Sequence, residues 1–421
     1  MKILVIGSGG REHTIVWKLS KSPKVSKIYC APGNGGIAEL AECVPIKATD
    51  IDGVVNFAKE KAVDLVVVAP DDPLVAGMVD ALEDAGIRAF GPRANAAAIE
   101  GSKVFSKDLM QKYNIPTAGY EVFTDPEAAI KYIEKGSFPT VIKAEGLALG
   151  KGVIIAKDID EARAAIHDIM EEKVFGASGN RVVIEEFLTG PEVSVLAFCD
   201  GKTVVPMVSA QDHKRAFDND EGLNTGGMGT FSPSRLYDAA KAEECMKNIF
   251  LPTVKAMQAE GRPFKGVLYF GLMMTAAGVR VIEYNARFGD PETQVVLPRL
   301  KTDLVDIIEA VIDGRLDEIE IEWEDNAAVC VVLASGGYPV KYATGYEISG
   351  LDEIAKYDDL TVFHAGTKRD GDKLVTAGGR VLGITAVAEN LDAAIRRAYE
   401  GVEMVSFKDC HFRHDIGIKK Y

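Results

Sequence analysis

Short apolar runs alternate with helical stretches through the first hundred residues, and that alternation restricts this part of the chain to a parallel sheet wrapped by helices. Ile3 to Ile6 reads as a buried strand, Arg11 to Leu19 as a helix, Ile28 to Ala31 as a second strand, Val54 to Lys61 as a helix and Leu65 to Ala69 as a third strand. Such units build a doubly wound sheet, which binds ligands at the carboxyl ends of its strands. The first of those ends is the turn Gly7-Ser8-Gly9-Gly10-Arg11-Glu12. It begins like a dinucleotide fingerprint but puts Glu12 where the third glycine belongs. The second strand ends in Cys30-Ala31-Pro32 with no acid for a ribose hydroxyl, so a nicotinamide dinucleotide is disfavoured. Two readings of the turn stand: a tight strand-to-helix connection, or a helix N-terminus whose N-H groups around Gly9, Gly10 and Arg11 attract a phosphate. The third strand runs into Pro70-Asp71-Asp72-Pro73, making Asp71 a candidate for a sugar hydroxyl or an amine.

A chain of 421 residues is too long for one core and predicts about three domains. The rhythm divides it at 1–101, 102–314 and 326–421, with an overall α/β character. A net charge of -15 without a basic block argues against nucleic acid or a membrane surface as partner. The start, M-K-I-L-V-I-G-S-G-G, runs straight into a glycine turn without a cleavage site, and no apolar stretch approaches the ~20 residues that span a bilayer. Cys30, Cys43, Cys199, Cys245, Cys330 and Cys410 show no C-x-x-C spacing, which fits a reduced, cytoplasmic protein with small buried thiols.

The middle region has strong helix starts at Ser102, before a helix to Tyr113, and at Asp125-Pro126-Glu127. Strands are expected at Tyr120 to Phe123, Phe138 to Ala144, Val153 to Ala156 and Arg181 to Phe187. Lys143 interrupts an apolar strand, so it either finds an anion, such as a ligand phosphate, or reaches solvent. The loop Glu145-Gly146-Leu147-Ala148-Leu149-Gly150-Lys151-Gly152 superficially resembles a Walker A loop, but it has one residue too few between glycines and leads into a strand. A strand-loop-strand flap fits better, with Gly146, Gly150 and Gly152 letting the backbone close over a triphosphate and Lys151 adding charge. Beyond it, Glu185, Glu186 and Leu188 are placed to offer backbone groups to a purine edge, and Glu192 to accept from ribose hydroxyls.

The densest chemistry lies in R-V-I-E-Y-N-A-R-F-G-D-P-E-T-Q, from Arg280 to Gln294. Glu283 and Asn285 are two apart on an extended run, so both face one side and can hold a hard cation between them. Arg287, Asp290 and Glu292 follow in a turn broken by Gly289 and Pro291. Upstream, Gln211 to Ser234 is polar, glycine-rich and aperiodic. Its donors (Asp212, His213, Lys214, Arg215 and Asn224) and its hinge glycines, among them Gly226, suggest a substrate-closing loop. The last region offers a strand over Ala327 to Ala334, another over Leu360 to Ala365, a hairpin over Leu374 to Ala388 and an amphipathic helix over Leu391 to Met404. Lys368 and Arg380 stand in its glycine turns.

Taken together, V-I-G-S-G-G-R-E-H (Val5 to His13), A-P-G-N (Ala31 to Asn34), G-L-A-L-G-K-G-V (Gly146 to Val153), Q-D-H-K-R (Gln211 to Arg215), N-T-G-G-M-G (Asn224 to Gly229), R-F-G-D-P-E-T-Q (Arg287 to Gln294) and H-A-G-T (His364 to Thr367) resemble the phosphoribosylamine-glycine ligase family of the ATP-grasp superfamily. The resemblance covers the chain nearly end to end. Two positions differ conservatively: Asp71 stands where a glutamate is usual, and Glu145 where an aspartate is usual. The resemblance implies an N-terminal Rossmann-like domain, an ATP-grasp domain with a flap over about 116–190, and a C-terminal domain of mixed or antiparallel sheet. It also implies ATP and magnesium or manganese, the small-molecule substrates glycine and 5-phosphoribosylamine, and no obligate protein partner. Lys103, Lys143 and Lys151 are then expected at the nucleotide, and Arg287 at the glycine carboxylate with Asp290 at its ammonium group. Asp212 and Lys214 complete the expected catalytic set, and the ribose phosphate is shared by the Gly9-Gly10 turn, Lys214 and the basic turns with Lys368 and Arg380.

Overall fold

The strand Lys2–Gly7 is buried because Ile3, Leu4, Val5 and Ile6 have no polar side chain to place in water, and each is 0% exposed. It lies at the centre of a parallel sheet whose order is Glu42–Cys43, Lys27–Pro32, Lys2–Gly7, Leu65–Val68, Arg88–Phe90. The chain works outward on one side and then returns to the other, so the crevice of this sheet opens between Lys2–Gly7 and Leu65–Val68. The glycine turn and Asp71 both leave the sheet at that crevice, Asp71 at the start of the helix Asp71–Val75. The structure, a computed structural model, describes residues 1–147 and 152–418.

Among the described residues, an antiparallel sheet follows in the order Tyr120–Phe123, Val182–Glu186, Thr140–Ala144, Val153–Ala156. With the helices Pro126–Ile133 and Ile159–Ile166 it closes an apolar cluster of its own, including Ala129, Ile142, Ile166 and Ile184. Thr140–Ala144 pairs with Val153–Ala156 in the register Lys143 to Val153, the strand-loop-strand arrangement read from the sequence. A second antiparallel sheet, Val204–Pro206, Glu192–Asp200, Lys265–Thr275, Gly278–Asn285, shares one core with one face of the parallel sheet.

The last sheet departs from the expected layout. Its order is Gln211–Asp212, Gly229–Ser232, Ala327–Ser335, Arg380–Ala388, Leu360–His364, so two of its strands come from the stretch read as a closing loop. Gly229, Thr230, Phe231 and Ser232 are all buried, while Arg215–Phe217 and Glu221–Asn224 form an exposed hairpin between them. A buried strand of four residues with glycine at its head has no period long enough to distinguish it from a loop. The hairpin expected over Leu374 to Ala388 is also displaced: Lys373–Thr376 pairs with Thr367–Asp370, and Arg380–Ala388 joins the large sheet. The helix Leu391–Met404 packs on that sheet, as its apolar stripe requires. Among the described residues, no helix is long and apolar enough to cross a membrane.

Candidate active site

Glu185 lies one residue before the end of the strand Val182–Glu186 with its side chain turned inward, and its two carboxylate oxygens lie 2.9 Å from Lys107 Nζ and 2.9 Å from Lys143 Nζ. Lys143 also donates to the Ile282 carbonyl at 3.2 Å. The pairing between Lys265–Thr275 and Gly278–Asn285 skips Ile282, which leaves that carbonyl out of the ladder. Lys143 therefore has protein partners, and a ligand phosphate is not the sole account of its place in an apolar strand. Burial pushes the Lys107 ammonium down to about 8, against the pull of Glu185. Lys103 Nζ is held by Gly146 O at 2.9 Å, and Gly152 O accepts from Ala144 N at 2.9 Å. Ser102 Oγ (3.1 Å) and Arg181 Nε (2.6 Å) fix Glu145 at the mouth of the loop. Gly150 and Lys151 lie outside the described residues. Glu186, the last residue of its strand, is exposed, and Leu188 is half-buried in the run that joins the two antiparallel sheets.

Asn285 and Glu283 close the strand Gly278–Asn285 on one face, while Tyr284 between them points into the core and bonds Thr253 Oγ1 at 2.9 Å. Lys214 Nζ bridges Glu283 Oε1 (3.5 Å) and Glu192 Oε2 (3.4 Å), bringing together three residues expected at the site. Burial pushes the Glu283 carboxyl up, but Lys214, Lys143, Lys103 and Arg287 outweigh it and hold it at about 2. Glu192 foremost, against burial and with help from Glu283, keeps Lys214 well above its ordinary range. No group of three or more His, Cys, Asp or Glu side chains placed to hold a metal occurs among the described residues. Glu283 and Asn285 thus supply two oxygens, a set that fits a cation taking its remaining ligands from phosphate and water.

Arg287 is the next residue outward on this face. Its Nη2 lies 2.9 Å from Glu100 Oε1, donates to Asn285 Oδ1 at 3.2 Å and comes within 3.8 Å of Asp71 Oδ2, while its buried Nε has no partner among the described residues. Glu100 also accepts from Ala286 N at 2.7 Å through its other oxygen. Sequence reasoning misses Glu100, whose only signal is an acid in the alanine-rich helix Ala94–Gly101. It misses Lys107 and Tyr269 as well. Tyr269 Oη bonds Glu292 Oε1 (3.0 Å) and Ser194 Oγ (2.8 Å) under the turn.

The glycine turn is closed by acids. Gly9 N donates to Glu12 Oε2 at 2.6 Å, Arg11 Nε sits 2.5 Å from Glu12 Oε1, and Arg11 N reaches Asp290 Oδ2 at 3.3 Å. Gly7 has φ +121°, and a Cβ there would lie 2.5 Å from Glu12 Cγ, so glycine is what lets Glu12 fold back. A phosphate at Gly9 and Arg11 would meet Glu12 and Asp290 already bonded to those N-H groups. Gly10 packs against Gln294, and Gln294 Nε2 donates to Asp290 Oδ1 at 2.8 Å. Arg380 completes Asp290's shell at 3.5 Å and donates to the carbonyls of Asp290 (2.9 Å) and Gly226 (2.8 Å). Burial pushes Asp290 up, but Arg380 and Arg11 hold it below the usual carboxylate range. Asp290 thus fastens the turn through both of its oxygens. Asp212 stands beside Gly227 and accepts from His213 N at 2.7 Å; burial, then Glu292, pushes its carboxyl well up. Asn224 ends the exposed hairpin, and Lys368 is exposed on the hairpin that abuts Gly35.

The chain matches known proteins along nearly its whole length. Family models described as phosphoribosylglycinamide synthetase N domain, ATP-grasp (A) domain and C domain match residues 1–100, 101–293 and 328–419. The phosphoribosylamine-glycine ligase of Halalkalibacterium halodurans is 53% identical over 100% of this chain and 97% of its own length. That of Caldanaerobacter subterraneus is 49% identical over 99% of each. The crystal structure of phosphoribosylamine-glycine ligase from Thermotoga maritima superposes with a TM-score of 0.87 at 33% identity, covering 99% of this chain and 100% of that one. A biotin carboxylase domain from Hydrogenobacter thermophilus shares the fold alone, with a TM-score of 0.75 at 15% identity over 98% of this chain and 91% of that one. The chain belongs to the phosphoribosylamine-glycine ligase family.

Proposed function

We propose that this chain ligates glycine to 5-phosphoribosylamine with ATP, giving glycinamide ribonucleotide, ADP and phosphate. A glycine carboxylate oxygen attacks the γ-phosphorus and ADP leaves. The amine nitrogen then attacks the acyl carbon, loses a proton, and phosphate leaves. The observation that carries the reading is the gathering of charged groups at the end of the strand Gly278–Asn285, where Lys103 and Lys143 act on Glu283, and Arg287 joins Asn285 to Asp71. Such chemistry needs neutralised charge and fixed positions more than a covalent nucleophile.

Each residue's part follows from what surrounds it. Lys103 and Lys143 meet the nucleotide phosphates, with the run Glu185 to Leu188 at the base and Glu192 at the ribose. Glu283 and Asn285 hold magnesium or manganese, which when bound neutralises the phosphates. Arg287, pinned on one edge by Glu100 and Asn285, offers its guanidinium to the glycine carboxylate. Asp71, on the same crevice, faces the sugar of the amine substrate. Asp290 and Arg380 hold the turn and the Gly226 loop together. Residues 1–101 supply the amine side, 102–314 the nucleotide side, and 326–421 the closing basic turns.

The test is ADP release with ATP, glycine and freshly made phosphoribosylamine, omitting each in turn, with glycinamide ribonucleotide assayed in parallel. Sustained turnover is expected only in the complete mixture. Equal ADP release without glycine, or release with no glycinamide ribonucleotide formed, would overturn the assignment.

A further inference from the structure

Lys107, on the helix Lys103–Lys112, is a buried cation that none of the steps above uses. Its ammonium is fully committed: Glu185 Oε2 lies 2.9 Å away, Thr117 Oγ1 accepts at 2.8 Å, and the Tyr120 ring covers it at 5.7 Å. Thr117 donates in turn to Val281 O at 2.7 Å, so Lys107 is tied to the same strand that carries Glu283. The second oxygen of Glu185 faces Lys143. The side chains of Lys107, Lys143 and Glu185 are 3, 6 and 4% exposed. One buried carboxylate therefore serves two buried ammonium groups.

The charge count decides what such a triad does. With Lys107 present the three groups carry a surplus of one positive charge, and buried charge calls for a counter-ion. Without Lys107, Glu185 and Lys143 would neutralise each other and Lys143 would have little to offer an anion. We propose that Lys107 is a positioning residue that occupies Glu185, so that less of the Lys143 charge is spent on that carboxylate and more is left for the nucleotide's phosphates. The proposal rests on the reading that Lys143 meets those phosphates.

The experiment separates base from phosphate. Equilibrium titration of the full chain with adenosine and with ADP, at fixed magnesium, gives the ratio of their Kd values, in which contacts to the base cancel. Lys107→Met is expected to lower that ratio about ten-fold. Adding Glu185→Gln in the same chain frees Lys143 again and is expected to restore most of the loss. Two merely structural losses would add instead. If Lys107→Met does not fold, Lys107→Gln removes the charge while keeping the bond to Thr117, and the same outcome is expected. Lys107→Arg should leave the ratio near that of the parent. An unchanged ratio in the neutral variants, or a further fall on adding Glu185→Gln, overturns the proposal. Lys143→Met tests the reading beneath it. An unchanged ratio there removes Lys143 from the phosphates and takes both assignments with it, whereas a collapsed ratio with silent Lys107 variants overturns the Lys107 role alone.

Discussion

Glu283 sits among four cations, and the balance between burial and those charges keeps it ionised far below neutral pH. Replacing it with glutamine retains the shape but removes the anion that Lys214 and a phosphate-bound cation share. Glu283→Gln is therefore expected to lower kcat/KM roughly a hundred-fold. The fold should be retained, and near-normal turnover at limiting magnesium would remove Glu283 from the metal. The pair Glu283 and Asn285 is readable in the sequence because a period of two puts both on one face. Lys107, Lys143 and Glu185 are not readable as a unit, since they come from a helix and two strands whose meeting depends on tertiary packing. Glu12 is legible only as a departure from a fingerprint. Its carboxylate reaches its own helix end only because Gly7 leaves room.

At the scale of elements, the turn before the buried strand Gly229–Ser232 sets the distance between Asp212 and the Arg287 to Gln294 segment. Gly227 has φ +116°, and a Cβ there would lie 2.5 Å from Pro291 Cδ and 2.7 Å from Asp212 Oδ1. Gly227→Ala is expected to cost about 1–3 kcal/mol in stability and to weaken glycine use. Denaturant unfolding and steady-state kinetics check both parts, and an unchanged unfolding midpoint would contradict the strain. Elements with sustained periodicity are legible: the helix Leu391–Met404 falls where its amphipathic pattern places it. The strands inside Gln211 to Ser234 are not. Two to four residues between glycines carry no period, and their partner strand lies far along the chain.

For the whole molecule, the first region is joined to the last by a pair of neutral histidines. His364 N donates to His13 Nδ1 at 2.7 Å, and His364 Nδ1 meets Thr367 Oγ1 at 3.2 Å. Burial, then the neighbouring His364, lowers His13 to about 3, and burial, then Arg369, lowers His364 to about 4. The unfolded chain takes up protons near pH 6.5 that the native pair refuses. Their contribution is thus fully present above pH 6.5 and is lost as pH falls toward 4. Unfolding free energy measured between pH 7.5 and 4.5 should fall with acid, by up to about 1.4 kcal/mol per pH unit for each histidine. His13→Asn should flatten that slope, and an unaltered slope would place the acid sensitivity elsewhere. Asn34 reinforces the same seam, donating to Ser8 O and His364 O at 2.8 Å each. The large sheet that mixes strands from 211–232 with strands from 327–388 also imposes an order on biosynthesis. Gly229–Ser232 leaves the ribosome well before Ala327–Ser335, the strand it must lie beside. At roughly 5–20 residues per second that wait is on the order of ten seconds. Through it the nascent chain carries an unpaired strand edge, the kind of surface that a chaperone shields and a truncated chain would leave permanently bare.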